Sequence, residues 1–123
     1  MELYIDGEKY TFEYNFGFVR KINRKVTTNV GDNNAKQNQG LAYAIAQIMD
    51  GDIETLADVL DTANEGQQPR LTMAKIEEFF DDPETDIDDI FETVLDFFEK
   101  SNCTKKTYAR VKEMQEALKK ANS

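Results

Sequence analysis

Carboxylates are the side chains of this sequence best able to do chemistry, and they concentrate in its middle. In residues 79–98, FFDDPETDIDDIFETVLDFF, acids stand beside large apolar residues at nearly every position. Oxygen-rich loops of this kind can bind Ca²⁺. This stretch does not match the calcium-loop pattern, because a loop begun at Asp82 has Ile87 where the pattern requires glycine and Thr93 where it requires a bidentate glutamate. The loop DGDIETLADVLD fails in the same way, so we expect no metal and no cofactor.

Residue types that usually carry catalysis are rare in this chain. There is no histidine, and neither Ser101 nor Ser123 lies in a G-x-S-x-G setting. The single cysteine, Cys103, cannot form an internal disulfide or a cysteine cluster for zinc. These absences predict a binding protein and not an enzyme. A carboxylate-only enzyme stays an alternative, and it would need two acids that converge in a cleft.

Charge is distributed unevenly along the chain. Residues 1–49 carry six Lys/Arg and five Asp/Glu, residues 50–99 carry two and 17, and residues 100–123 carry seven and two, for net charges of +1, −15 and +5. The acidic middle disfavours nucleic-acid binding. It allows head-to-tail contact between copies, although a solvated acidic face explains the pattern equally well. No apolar run approaches the roughly 18 residues that span a membrane, so we expect a cytosolic protein.

The elements that must position these residues begin with a hairpin. Residues 1–14 alternate in polarity around Asp6-Gly7, a pair suited to a type I′ turn. Pairing across the turn sets Leu3 opposite Tyr10 and Met1 opposite Phe12. One face then carries the apolar side chains of Met1, Leu3, Ile5, Tyr10, Phe12 and Tyr14, and it needs a cover because a lone hairpin is marginal in water.

Helices are predicted for most of the remaining chain. FGFVRKINRKV places Phe18, Val19, Ile22 and Val26 on one stripe, and LAYAIAQIM reads as a central helix. Residues 27–40 between them read as a polar loop, whose second half could instead open the central helix. Three further helices are expected to begin at the N-caps Asp52, Thr72 and Asp86. Leu71 and Ile76 have the spacing of a hydrophobic staple around Thr72.

Two features of the last helices leave alternatives open. The apolar arc of residues 87–98 covers roughly 160° of its helix, so this helix is either deeply buried or half buried and half offered to a partner. Thr104 can cap a basic final helix with Tyr108, Val111, Met114 or Gln115, and Leu118 at helical spacing; this helix could pack at the rim, fray or dock onto another copy.

The ordered set of segments resembles a known family over nearly the whole chain. IDGEKYTFEYNFGFVRKIN, GLAYAI, DIETLADVLDTAN, PRLTMAKIEEFFDD and TDIDDIFETVLDFFEKSNCTKK together are similar to the tail assembly chaperones of long-tailed phages. The resemblance implies a non-enzymatic protein that binds and solubilises the tape measure protein and helps recruit major tail protein. It also implies self-association, a location in the cytoplasm of the infected or lysogenic host, and absence from the mature virion.

We therefore predict one α+β domain, mostly α, with about six helices over residues 1–123. Its parts are a hairpin at 1–15, a helical body at 16–101 and a basic helix at 104–121. The residues predicted to contact a partner are Phe79, Phe80, Phe91, Phe97 and Phe98. Those predicted for self-association are Arg20, Arg24, Lys105, Lys106, Arg110 and Lys112. The alternative function is an acidic DNA mimic, whose carboxylates would occupy the basic groove of a nuclease or repressor.

Overall fold

A two-stranded hairpin and six helices make up the residues that the computed structural model describes, which are 1–30 and 40–121, with the backbone alone for 26–30. In chain order the elements are β1 (Glu2–Ile5), β2 (Glu8–Thr11), α1 (Phe16–Val30), α2 (Gly40–Met49), α3 (Ile53–Asn64), α4 (Met73–Asp81), α5 (Ile87–Lys100) and α6 (Lys105–Ala121). The arrangement confirms the predicted class, α+β and mostly α.

The hairpin has the predicted turn and register. Asp6 and Gly7 have φ angles of 54° and 79°, both in the left-handed region that a type I′ turn requires. Leu3 pairs with Tyr10 across the two antiparallel strands. This register puts Leu3, Ile5 and Tyr10 on one face of the hairpin and Tyr4 on the other.

The apolar face of the hairpin is covered, as its composition requires. The pairing continues beyond the strands, since the Phe12 N–H donates to the Met1 carbonyl oxygen at 2.8 Å. Ile5 and Tyr14 are buried together with Phe12, whereas Tyr4 on the opposite face is 69% exposed. The hairpin is therefore one wall of the core.

Tyr14 is the residue through which the hairpin meets α1 and α5. Its ring stacks on Phe18 of α1 at 4.7 Å between centroids and on Phe98 of α5 at 4.6 Å. The Tyr14 hydroxyl is buried and has no hydrogen-bond partner among the described residues. Burial raises the pKa of this phenol well above its ordinary value, so it stays neutral.

Helix α1 extends further than predicted. It runs to Val30, so residues 27–30 are helical and their assignment to a loop was wrong. Relative to better helix formers, Thr and Val each destabilise a helix by only about a few tenths of a kcal/mol. Gly31 is the first residue after them whose type strongly disfavours a helix. Residues 31–39 of the predicted loop lie outside the described residues, as does the side chain of Val26.

Helix α2 is central, as predicted, and contacts α1, α3, α5 and α6. Its first residue, Gly40, lies against the backbone of α1. A Cβ placed on Gly40 would come within 2.5 Å of the Asn23 Cα and 2.7 Å of the Asn23 carbonyl oxygen. The Asn23 side chain also accepts a hydrogen bond from the Leu41 N–H at 2.7 Å. The crossing of α1 and α2 therefore requires glycine at this position.

Three helices begin at the predicted N-caps. Asp52, Thr72 and Asp86 each accept a hydrogen bond from the backbone N–H three residues later, at 3.1, 3.2 and 3.1 Å. Leu71 and Ile76, the predicted staple around Thr72, are both fully buried. Local sequence thus determines where α3, α4 and α5 start.

The turn between α5 and α6 differs in detail from the prediction. Thr104 lies just before α6, and the Tyr108 N–H donates to its carbonyl oxygen. Its hydroxyl, however, is buried and donates to the Phe98 carbonyl oxygen at 2.7 Å. Thr104 therefore links the end of α5 to the start of α6, because the last carbonyls of α5 need donors.

A buried asparagine joins the hairpin to the connection between α3 and α4. Asn64, the last residue of α3, donates from Nδ2 to the Thr11 carbonyl oxygen at 3.0 Å and to the Pro69 carbonyl oxygen at 3.3 Å. Its Oδ1 accepts from the Leu71 N–H at 2.5 Å and from Arg70 at 3.0 Å. One side chain thus bonds to a backbone group of the hairpin, at Thr11, and to two in the segment before α4, at Pro69 and Leu71.

We predict that Gly40→Ala lowers the free energy of unfolding by about 3 kcal/mol, because the new methyl group meets helix backbone that cannot move aside. Gly17→Ala is the matched control, since a Cβ there meets only the Asn15 side chain at 3.4 Å. Gly17→Ala should leave stability unchanged or raise it by up to about 1 kcal/mol. Urea denaturation followed by circular dichroism would measure both, and equal effects would refute the close crossing.

We predict that Tyr14→Phe raises the free energy of unfolding by about 1 kcal/mol, since it removes a buried hydroxyl without a partner and keeps the ring. Tyr10→Phe is the control, because the Tyr10 hydroxyl donates to Glu8 at 3.1 Å and its loss gains nothing. A Tyr14→Phe protein that is less stable than wild type in urea would show that the hydroxyl has a partner in solution.

Candidate partner-binding surface

The acids of the middle segment are placed mainly by helix architecture. Asp86 caps α5, and Asp88 and Asp89 lie in its first turn, where carboxylates interact favourably with the positive end of the helix dipole. In residues 1–30 and 40–121 no group of three or more His, Cys, Asp or Glu side chains is arranged to hold a metal ion.

Helix α3 carries a carboxylate that forms ion pairs with two other parts of the chain. Asp61 accepts from Arg70 at 2.8 Å and forms an ion pair with Lys25 at 3.5 Å, so it ties α3 to α1. Burial raises the pKa of the neighbouring Asp58, and the Lys25 charge opposes that rise. Because Asp61 is held by two cations, it links α3 to α1 and to the segment before α4.

Phe98, one of the five phenylalanines predicted to contact a partner, is a core residue. It is fully buried and stacked on Tyr14. Its place near the middle of the apolar arc of α5, one turn from the buried Val94, is the sequence signal for this role. We therefore remove Phe98 from the proposed surface, because its side chain is not accessible in the folded domain.

Phe97 and Phe91 lie on opposite margins of the buried face of α5. Phe97 is half-buried, with its ring centroid 4.9 Å from that of Tyr14. Phe91 is also half-buried, but six residues along a helix correspond to a rotation that leaves the two rings about 120° apart. A single contact surface therefore cannot contain both.

The margin that carries Phe91 has the features of a contact surface. Ile87, Phe91 and Leu95 are spaced four residues apart and are all half-buried, so they form a continuous apolar stripe at the rim of the core. Exposed carboxylates border the stripe along its outer side. We refer to this surface as the α5 edge, made of Ile87, Phe91 and Leu95 with Asp88, Glu92 and Glu99.

The remaining two predicted contact residues lie on α4. Phe79 and Phe80 are half-buried against the core, with ring centroids 6.1 Å apart. Partner binding by them, as by Phe91 and Phe97, stays a prediction.

The six cations predicted for self-association lie on two helices, α1 and α6, and all are exposed. On α1, the Arg20 guanidinium lies 6.0 Å from the ring centroid of Phe16, which is itself 66% exposed. On α6 they form much of its outer surface; this group is Lys105, Lys106, Arg110 and Lys112. Their role also stays a prediction.

The end of α6 extends beyond the body of the domain and is exposed. Val111 is buried and Gln115 is half-buried, but Met114 is 60% exposed and Leu118 is 59% exposed. Of the two residues left open for the inner stripe, Gln115 is therefore the one that faces inward. Leu118, which has the spacing of the inner stripe, is left uncovered, because the body of the domain does not extend along α6 beyond Gln115.

Comparisons with known proteins identify the family of this chain. None of the helices in the described part of the chain is long and apolar enough to cross a membrane. Comparison with curated proteins and with solved structures gives no match. The family model described as "Phage tail assembly chaperone protein, TAC" matches residues 2–113, from β1 into α6, and confirms the resemblance. The chain therefore belongs to the family of phage tail assembly chaperone proteins, and its role is that of a chaperone in tail assembly.

Proposed function

We propose that this protein binds the tape measure protein of a phage tail, keeps it soluble and helps recruit major tail protein. It acts in the cytoplasm of the bacterial host, without catalysis, and is absent from the finished virion. Membership of the chaperone family supports a non-catalytic role in tail assembly. The structural observation that carries the proposal is the α5 edge, an apolar stripe at the rim of the core bordered by exposed carboxylates.

The α5 edge has the dimensions of a site for one helix face. Its three apolar residues are four positions apart, so they span a little over two turns, about 12 Å. An amphipathic helix presents apolar residues at matching intervals and binds such a stripe side by side. Because the stripe is only half exposed, each contact is small and weak, which suits a client that must later be released.

The carboxylates of the edge select the charge of the client. Helix α5 carries five Asp/Glu and one Lys, a net charge of −4. Asp96 pairs with Lys100 of its own helix at 3.0 Å, whereas Asp88, Glu92 and Glu99 lie exposed beside the stripe. A client helix with Lys or Arg beside its apolar face would therefore be favoured and an acidic one disfavoured.

The proposal includes self-association, in which the exposed cations of α6 on one copy face the acidic α5 of another. Several copies along one client would add avidity while each contact stays weak.

We predict that a tape measure fragment that precipitates alone becomes soluble when co-expressed with this protein. The apolar helix faces of the fragment would then be covered instead of aggregating. Light scattering after size-exclusion chromatography would give the mass of the complex. A fragment that stays insoluble beside folded protein would overturn the proposal. Complete loss of binding in salt would instead favour the DNA mimic, because salt screens the charged border of the contact but leaves its apolar part.

We predict that Glu92→Lys with Glu99→Lys weakens binding of the fragment about tenfold, by removing the acidic border of the stripe. Both positions are exposed, so the fold should be retained. Glu54→Lys with Glu77→Lys makes the same charge change at exposed positions on α3 and α4 and is the matched control. If both pairs bind alike in isothermal titration calorimetry, the α5 edge is not the client site, even where the fragment is solubilised.

A further inference from the structure

We infer that the end of α6 from one copy docks on the α5 edge of a second copy and so competes with the client for that surface. The α6 end is residues 114–121. The inference rests on the proposed function in one respect, that the α5 edge is the client site. The docking itself is argued from exposure, helical spacing and charge.

The apolar stripe of α6 continues beyond the part of the helix that the domain covers. Leu118 follows Val111 by seven residues and so lies on nearly the same side of the helix. Val111 is 4% exposed, whereas Leu118 is 59% exposed. Met114, four residues before Leu118, is 60% exposed. The α6 end therefore presents two adjacent large apolar side chains that nothing in the described chain covers.

The contact is not made within one chain. Met114 and Leu118 are exposed while the α5 edge of the same molecule is present and also partly exposed. Helix α6 is continuous from Lys105 to Ala121, so its end cannot turn back onto its own α5. Only a second copy can bring the two surfaces together.

Spacing and charge match the α6 end to the α5 edge. Met114 and Leu118 of one copy are four residues apart, as are Phe91 and Leu95 on the α5 edge of the second copy. The part of α6 that includes Arg110 and the α6 end, residues 110–121, carries four Lys/Arg and two Glu, a net charge of +2, against −4 for α5. Arg110 lies one turn before Met114 on the same side of the helix and is exposed, so it can face the carboxylates that border the stripe.

The α6 end thus has the properties that the α5 edge would select in a client, namely an apolar helix face with a basic border. In the absence of client, copies would cover one another's α5 edges. A client that presents more such helix faces would displace the α6 ends by mass action. The exposed apolar stripe would then not be left open to indiscriminate association.

The inference predicts that the average mass of the wild-type protein rises with concentration, and that Met114→Gln with Leu118→Gln raises the dissociation constant of self-association at least about tenfold. Tyr4→Gln with Phe16→Gln is the matched control, because these side chains are 69% and 66% exposed at other places. The control should associate like wild type in sedimentation equilibrium. A wild-type protein that stays monomeric at all concentrations, or a Met114/Leu118 variant that associates normally, would overturn the inference.

Charge reversal identifies the paired surfaces. The Glu92→Lys/Glu99→Lys variant and an Arg110→Glu/Lys119→Glu variant should each self-associate weakly, and a mixture of the two should form a mixed complex, because the reversed charges then meet. A mixture that stays monomeric would refute the pairing.

A competition experiment between the client and the α6 end tests this inference independently of the proposed function. Adding the solubilised tape measure fragment to the wild-type protein should dissociate the contacts between copies, and the Met114/Leu118 variant should bind the fragment more tightly than wild type. A fragment that is bound without any effect on self-association would refute the competition and leave the chaperone role standing. A fragment that is not bound at all would refute the chaperone role, while the charge-reversal experiment would still decide the docking.

Discussion

The stacking of Tyr14 on Phe98 determines which side of α5 the rest of the structure leaves open. Tyr14 belongs to the segment that follows β2, and its ring lies 4.6 Å from that of Phe98 and 4.7 Å from that of Phe18. With Phe98 held against the hairpin, the helical repeat places Phe91 at the rim of the core and Glu92 in solvent. A different rotation of α5 would bury its carboxylates or expose its core residues, and both are costly.

Asn64 holds the hairpin in the position that this stacking requires. Its amide bonds to the Thr11 and Pro69 carbonyl oxygens and to the Leu71 N–H, so the end of β2, the end of α3 and the start of the α4 segment move together. Without Asn64 the buried Leu71 N–H would lose this partner, which is costly for a buried backbone polar group. The α5 edge therefore depends on polar contacts far from α5 as well as on the aromatic stack.

Sequence patterns predicted the parts of this structure that local interactions determine. The turn at Asp6-Gly7 and the caps at Asp52, Thr72 and Asp86 follow from side chains that bond to their own neighbours. The predicted exposure of α5 and α6 was less accurate, because helical periodicity gives a face but not the extent of its cover. Phe98 and Leu118 both lie on apolar stripes, yet one is 0% exposed and the other 59%. Only the packing of the hairpin and of α2 explains why one of these side chains is buried and the other exposed.

The acidic border of the α5 edge acts on wrong contacts as much as on correct ones. An apolar stripe at the rim of a core can pair with the same stripe of another copy, and neither stripe would then be accessible to a client. Two α5 helices that approach in this way bring a charge of −4 to each side, so their carboxylates repel. A basic helix meets no such repulsion. The border thus excludes pairing of α5 with α5 and leaves the stripe to basic amphipathic helices, whether from a client or from the α6 end of another copy.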